Sequence, residues 1–256
     1  MNFTAIGTYH SEAKAPYEAG RQPMDRVKTL GEILINPGQQ FEQALEDLEG
    51  FERIWLIYQF HHNPHWKPKV LPPRGSNKKV GVFATRAPYR PNPIGISCVK
   101  LVQVTGLKLI VEGADLLDGS PILDLKPYLP YADSFPDSKI GWLEGTEPYQ
   151  ITFTKSATEQ VDFLESKGLS QLRNFILNQL EFDPTNADKK RVARVLESEF
   201  VLSYKTWRIS FLLDSPTIQV QSISSGYSTA EILNEQDPYT DKALHRAFNS
   251  RFEGEK

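Results

Sequence analysis

Residues 81–97 read GVFATRAPYRPNPIGIS, with Pro88, Pro91 and Pro93 set between β-branched and aromatic residues on both sides. Proline lacks the amide that a central strand must donate, so the middle of this stretch is a stiff loop. It leaves one strand at Thr85 and enters another at Ile96. Stiffness lowers the entropy cost of holding Arg86 and Arg90 in place, and their planar paired donors suit a carboxylate or a phosphate. Loops set on rigid strands are where binding groups concentrate.

On either side, short apolar runs are separated by Pro and Gly. Residues 3–9, 53–60, 79–85, 95–103, 108–114 and 121–126 combine β-branched and aromatic side chains over strand-like lengths. Thr105-Gly106-Leu107 is a hairpin turn, and Asn36-Pro37-Gly38 leads into one helix over residues 41–48. Many short strands with few helices predict a mainly β chain whose first domain, residues 1–150, is a small β-barrel. The texture then changes. Residues 159–167 and 169–180 have helical spacing, with Leu172, Phe175, Ile176 and Leu180 on one face. Residues 188–199 read as a further helix. Residues 200–213 and 217–224 alternate as two strands around Asp214-Ser215-Pro216. The expectation is a smaller α+β domain over residues 151–236, then a tail or short helix over residues 237–256.

The chain has 256 residues, 39% hydrophobic and 24% charged, which excludes a disordered composition. No apolar run is long enough to span a bilayer, and the start MNFTAIGTYHSEAKAP has no signal-peptide pattern, so a cytoplasmic protein is expected. A single cysteine, Cys98, excludes an intrachain disulfide and a cysteine-rich zinc site. The net charge is −3, yet residues 53–111 contain no Asp or Glu. With 32 acids in 256 residues, about seven would be expected there. The same stretch holds ten cations: Arg53, Lys67, Lys69, Arg74, Lys78, Lys79, Arg86, Arg90, Lys100 and Lys108. A fold that gathers them on one face would attract a polyanion.

A second segment, ADLLDGSPILDLKPYLPYAD over residues 114–133, carries Asp115, Asp118, Asp124 and Asp133. Asp118-Gly119-Ser120-Pro121 is a turn signature, and such a turn offers backbone amides and carbonyls to a ligand. The spacing matches no calcium loop, and His61, His62 and His65 match no zinc signature, so no metal is expected. Asp124 and Lys126 are placed to pair with each other. There is no phosphate-binding GxxxxGK[ST] loop, no GxGxxG after a strand and no GxSxG elbow. From the residues alone the chain is a β-rich scaffold with an arginine loop, an acidic turn and a basic stretch.

The two segments resemble the TsaA-like family, bacterial tRNA methyltransferases that act on threonylcarbamoyladenosine. The family pattern GVFATRxxxRPNPIGxS is met at every fixed position, and DLxDGTPxxDIKPYxP is met closely by residues 115–130. Ile6-Gly7, Arg21-Gln22-Pro23 and Phe60-His61 also fit. The resemblance implies a β-barrel enzyme without a dinucleotide-binding fold, using S-adenosyl-L-methionine. It implies methylation of the exocyclic N6 amine of the modified adenosine at position 37, in the anticodon loop of threonine-type tRNA. It also implies a homodimer with the cofactor near the subunit interface. By position, cofactor contacts fall on Gln22, Pro23 and Met24, on His61 and His62, on Arg86 and Ile96, and on Leu116, Leu117, Asp118 and Gly119. Relatives often carry Asp-Pro-Arg-Pro after the helices; here the run is Asp183-Pro184-Thr185-Asn186.

An adenine amine is a weak nucleophile, so a nearby acceptor is needed to orient it or take its proton. Asp118, Asp124 and Tyr128 are the candidates. Arg90, Lys67, Lys69, Lys78 and Lys79 are expected on tRNA phosphates. Two other readings stay open at this point: a tRNA- or nucleotide-binding module without catalysis, and a methyltransferase of another small substrate.

Overall fold

The structure is a computed structural model and describes residues 3–13, 29–72, 76, 78–188 and 190–252. The chain divides into two compact units, Met1–Glu144 and Gly145–Lys256.

The first unit contains β1 (Gly7–His10), β2 (Leu30–Ile35), the short helix α1 (Phe41–Ala44), β3 (Arg53–Gln59), β4 (Lys69–Val70), β5 (Val80–Gly81), β6 (Ile94–Thr105), β7 (Lys108–Glu112), β8 (Ser120–Pro127) and α2 (Pro130–Asp133). Six strands close into a barrel in the order β1-β2-β7-β6-β3-β8, every pairing antiparallel. Closure removes the exposed strand edges that an open sheet of this size would leave. Alternation along the strands fills the interior: Ile33, Ile54, Leu56, Val99, Leu109, Val111 and Ile122 are all buried. Two aromatic rings complete it. Tyr58 lies over Gly95, its register partner, where an added Cβ would sit 2.4 Å from the ring Cζ. Tyr9 lies over Gly31 in the same way.

Three differences from the sequence reading belong to this unit. The helix expected over residues 41–48 is only one turn, Phe41–Ala44, and Leu48–Gly50 is a separate 3-10 turn. Strand β2 appears where no strand was expected, because Gly31 reads as a breaker until the Tyr9 ring is seen to require it. The run 79–85 is extended only as far as Gly81. Val82–Ala84 then forms a 3-10 turn, closed by Thr85 N and Thr85 Oγ1, which both donate to Val82 O.

The second unit contains β9 (Gln150–Phe153), α3 (Lys155–Ser166), α4 (Leu172–Leu180), β10 (Val192–Arg194), β11 (Glu199–Tyr204), β12 (Trp207–Asp214), β13 (Thr217–Ser225), α5 (Thr229–Leu233) and α6 (Lys242–Phe252). Its sheet runs β10-β11-β12-β13-β9, with β9 parallel to β13. Thr154 caps α3 by accepting from Ala157 N at 3.0 Å. The helix expected over residues 188–199 does not form over residues 190–199: Val192–Arg194 pairs with β11, and Arg194 clamps the turn through Leu196 O and Glu197 O. Residues 200–213 are two strands, with a tight hairpin at Lys205 and Thr206. Lys205 takes φ +50° without a glycine to announce the turn. After α4 the Lys190 ammonium donates to Gln179 O, Phe182 O and Asp183 O, fixing the turn that carries Asp183-Pro184. Residues 242–252 are an integral helix: Phe248 is in the core, and His245 stacks on Trp207 at 3.8 Å.

Candidate active site

One end of the barrel gathers His61, His62, Arg86 and residues 116–119. The register pairs Gln59 with Ile94 and Tyr9 with Ser120, so β1 and β3 end where β6 and β8 begin. Strands β7 and β8 are not neighbours, so residues 113–119 must cross this end to join them. The crossing is tied down on β1. Asp118 N donates to Ala13 O and Gly119 N to Tyr9 O, both at 2.8 Å, while Ser120 N donates to Leu117 O at 3.2 Å. The amides of the Asp-Gly-Ser turn are therefore engaged within the fold, and what the turn presents is its side chains. Leu116 plugs the mouth and is only 2% exposed; its side chain belongs to the apolar interior.

Asp115 accepts from the buried Ser97 hydroxyl at 2.5 Å. Burial pushes its carboxyl up to about 6, against the opposing pull of the Ser97 hydrogen bond and the Arg86 charge. The Tyr58 hydroxyl is raised by burial and by Asp115, and lowered by Arg86, so all three groups share one electrostatic neighbourhood. Burial likewise pushes Tyr9 up to about 12, against its hydrogen bond with Ser11. Beside them, Asp118 Oδ1 accepts from Ser11 N at 3.1 Å and lies 3.4 Å from His10 Nδ1. His61 sits 3.5 Å from the Ser120 hydroxyl, and its ring centroid is 3.9 Å from that of His62. Burial, then the neighbouring His62, holds His61 below the ordinary imidazole range, so it is neutral at pH 7.

The proline loop is braced rather than merely stiff. Arg90 Nη1 donates to Thr85 O at 2.8 Å and to Val82 O at 3.1 Å, and Trp142 Nε1 donates to Ala84 O at 2.8 Å. Arg86 stays exposed, while its charge acts on Asp115 and Tyr58. Lys67 N donates to Tyr89 O, and its ammonium lies 4.6 Å over the Tyr89 ring. Lys67, Lys69, Lys78 and Lys79 are all exposed.

The three candidate proton acceptors are not brought together. Asp118 is at the mouth. Asp124 pairs with Ile57 on the outer wall, accepts from Leu125 N and pairs with Lys126 at 2.9 Å. Tyr128 follows the far end of the eight-residue β8, beside Trp55. Ile96 also faces outward, opposite Ile57, and is 47% exposed. Gln22, Pro23 and Met24 lie outside the described residues. The carboxylate that the sequence reading passed over is Asp115. Its one signal is position: it opens the segment that must cross the mouth. Among the described residues no cluster of three or more His, Cys, Asp or Glu is arranged to hold a metal, and no helix is long and apolar enough to cross a membrane.

A family model described as the tRNA-methyltransferase O N-terminal domain matches residues 8–134. A tRNA (adenine(37)-N6)-methyltransferase of Escherichia coli K12 is 39% identical over 200 residues, 74% of this chain and 84% of that protein. A probable S-adenosyl-L-methionine-binding protein of Pyrococcus abyssi is 43% identical over 142 residues, 56% of this chain and 76% of that one. The crystal structure of TrmO from Pseudomonas aeruginosa superposes with a TM-score of 0.60 at 27% identity, covering 88% of this chain and 98% of that one.

Proposed function

We infer, since this chain belongs to the tRNA-methyltransferase O family, that it is an S-adenosyl-L-methionine-dependent tRNA methyltransferase acting on the N6 amine of the adenine at position 37. The base it takes is the threonylcarbamoyl-modified adenosine in the anticodon loop, and the working form is a homodimer. The observation that carries the assignment is the set of groups at the barrel mouth. S-adenosyl-L-methionine presents a carboxylate, an ammonium, a sulfonium and an adenosine. Arg86 supplies paired donors for the carboxylate, and Asp115 and Asp118 supply negative charge for the cationic groups. The rings of His61 and His62 and the side chain of Leu117 offer weakly polar surface for the rest, whereas Ile96 faces the outer wall. The residues present therefore fit the group, while the Leu116 side chain and the Gly119 amide are engaged within the fold. The bound cofactor supplies an already activated methyl group.

The chain's own residues bind, align and manage the proton. The braced loop fixes the backbone that carries Arg86, which lowers the ordering cost of holding the reactants. Among the mouth carboxylates, Asp115 has the proton affinity suited to work near neutral pH: charged above about 6, it accepts a hydrogen bond from the amine and its proton as bonding develops. Activity is therefore expected to fall as pH drops through about 6, and Asp115→Asn is expected to lose at least about tenfold in kcat and to lose that acid limb. The same shift sets a stability effect of opposite sense. The folded state holds a proton that the unfolded state releases between pH 3.8 and about 6, so the carboxylate destabilises the fold above that window. Asp115→Asn should melt higher than wild type at pH 7.5 and equally at pH 3.5. A lower melting temperature at pH 7.5 would mean that the charge is compensated where it sits.

The exposed lysines of the acid-free stretch supply the attraction for tRNA. Replacing Lys67, Lys69, Lys78 and Lys79 together by Ala is expected to flatten the dependence of log affinity on log salt by roughly two to three, at about 0.7 per phosphate contact. The affinity for S-adenosyl-L-methionine should stay unchanged by calorimetry. An unaltered salt slope would place the RNA on another surface. The assignment as a whole is tested by methyl transfer to tRNA with and without the threonylcarbamoyl group. Transfer to the modified tRNA, lost when adenine 37 is replaced, is the expected result; transfer to neither tRNA overturns it.

A further inference from the structure

The proline loop and the nearby Trp66 display aromatic rings that lie outside the apolar cores. Phe83 is 75% exposed and Trp66 54%, and Tyr89 is 36% exposed. The turn around Phe83 is made by its neighbours. Val82 is the buried anchor, Thr85 and Arg90 bond to Val82 O, and Trp142 bonds to Ala84 O. No bond that closes this turn uses the Phe83 ring. Two of the rings carry a cation, with the Arg90 guanidinium 5.7 Å over Phe83 and the Lys67 ammonium 4.6 Å over Tyr89. The backbone brings them into one cluster, because Lys67 N bonds to Tyr89 O and Val82 N to Pro68 O. Arg86, whose charge reaches Asp115 in the mouth, lies on the same loop.

We propose that Phe83, with Tyr89 on the same loop, is a stacking platform for an unpaired base of the anticodon loop that flanks the methylated adenine. An exposed ring on a braced turn keeps its place without a partner, which is what stacking on a splayed base requires. The surroundings match the ligand in charge: no acid occurs from residue 53 to 111, and the cations over the rings neutralise the phosphates that accompany the base. The proposal rests on the tRNA methyltransferase assignment and goes further by naming the ring that holds the substrate.

The test uses the full chain as wild type, Phe83→Ala, Phe83→Leu and Phe83→Trp. Each is measured in methyl transfer to tRNA and in binding to anticodon stem–loop RNA, intact or with an abasic nucleotide next to the target adenine. Phe83→Ala is expected to raise the KM for tRNA about tenfold, the effect of losing one stacked base. Its kcat and its affinity for S-adenosyl-L-methionine should stay within about twofold of wild type. Trp should restore the KM and Leu should not. One abasic position should weaken binding to wild type about tenfold and have no further effect on Phe83→Ala. The platform is overturned by an unchanged KM in Phe83→Ala, by equal rescue with Leu, or by a change in oligomeric mass that assigns the ring to a contact between subunits. Failure of wild type to methylate any tRNA would instead strike the enzyme assignment, and the abasic comparison would still decide the platform.

Discussion

Arg86→Ala is expected to lower kcat/KM by about ten- to a hundredfold, whereas Lys79→Ala lowers it by less than about threefold. Both residues carry one positive charge and both are exposed, but their settings differ. Arg86 stands on a loop held by Arg90, Thr85 and Trp142, and its field reaches two buried groups of the mouth. A charge-assisted bond from a guanidinium carried on such a braced backbone contributes about 1.5–3 kcal/mol, which converts to that range of rates. Lys79 is exposed and is one of several lysines proposed to meet a screened polyanion, where a single contact changes little. Kinetics of the two variants over a range of cofactor concentrations, at one salt concentration, separate the cases. Losses of equal size would show that bracing the loop confers nothing on Arg86. Arg86→Lys should recover only part of the loss, because an ammonium cannot make the paired contact.

Gly95→Ala is expected to damage the barrel severely, lowering stability by about 3 kcal/mol or preventing closure. The new Cβ would stand 2.4 Å from Tyr58 Cζ and 2.7 Å from Cε1 and Cε2, so the ring must leave its place. Tyr58 is 5% exposed and packs edge-on against Phe60 at 5.2 Å, which leaves it no room to move. The compensating change is Tyr58→Leu, which opens the space the methyl needs. Thermal melts of Gly95→Ala, Tyr58→Leu and the double variant check this: the double variant should melt above Gly95→Ala. Strict additivity of the two changes would mean that the ring and the methyl do not meet.

How far these features could be read without coordinates varies from residue to residue. The barrel strands around residues 53–60, 95–103 and 121–126 declare themselves by alternation, because one face of each meets the interior. Strand β2 hides behind Gly31, whose reason is a ring contributed by another strand. Val82 to Thr85 look extended because their side chains are those of a strand, while the donors that bend them, Arg90 and Thr85, act through backbone carbonyls. Val192 to Arg194 look helical in charge spacing, and only pairing with β11 makes them a strand. The site shows the same division. Asp118, His61 and Arg86 reach one barrel end because strand ends do. Asp124 and Tyr128 are neighbours of Asp118 in sequence, yet β8 carries one to the outer wall and the other to the opposite end. Asp115 owes its proton affinity to enclosure, which no local pattern records.

The seam that closes the barrel runs between β1 and β8, joining residues 7–9 to residues 120–122 across most of the first unit. The same seam holds the crossing segment, through Ser11 to Asp118 and Tyr9 to Gly119. Such pairings have high contact order, and the loop-closure entropy falls due before any of their contacts form. During synthesis the amino-terminal strand must wait for about 110 further residues to emerge before it finds its neighbour. The barrel mouth is thus among the last features to assemble, and gain of cofactor binding during refolding should coincide with the slowest structural phase rather than precede it.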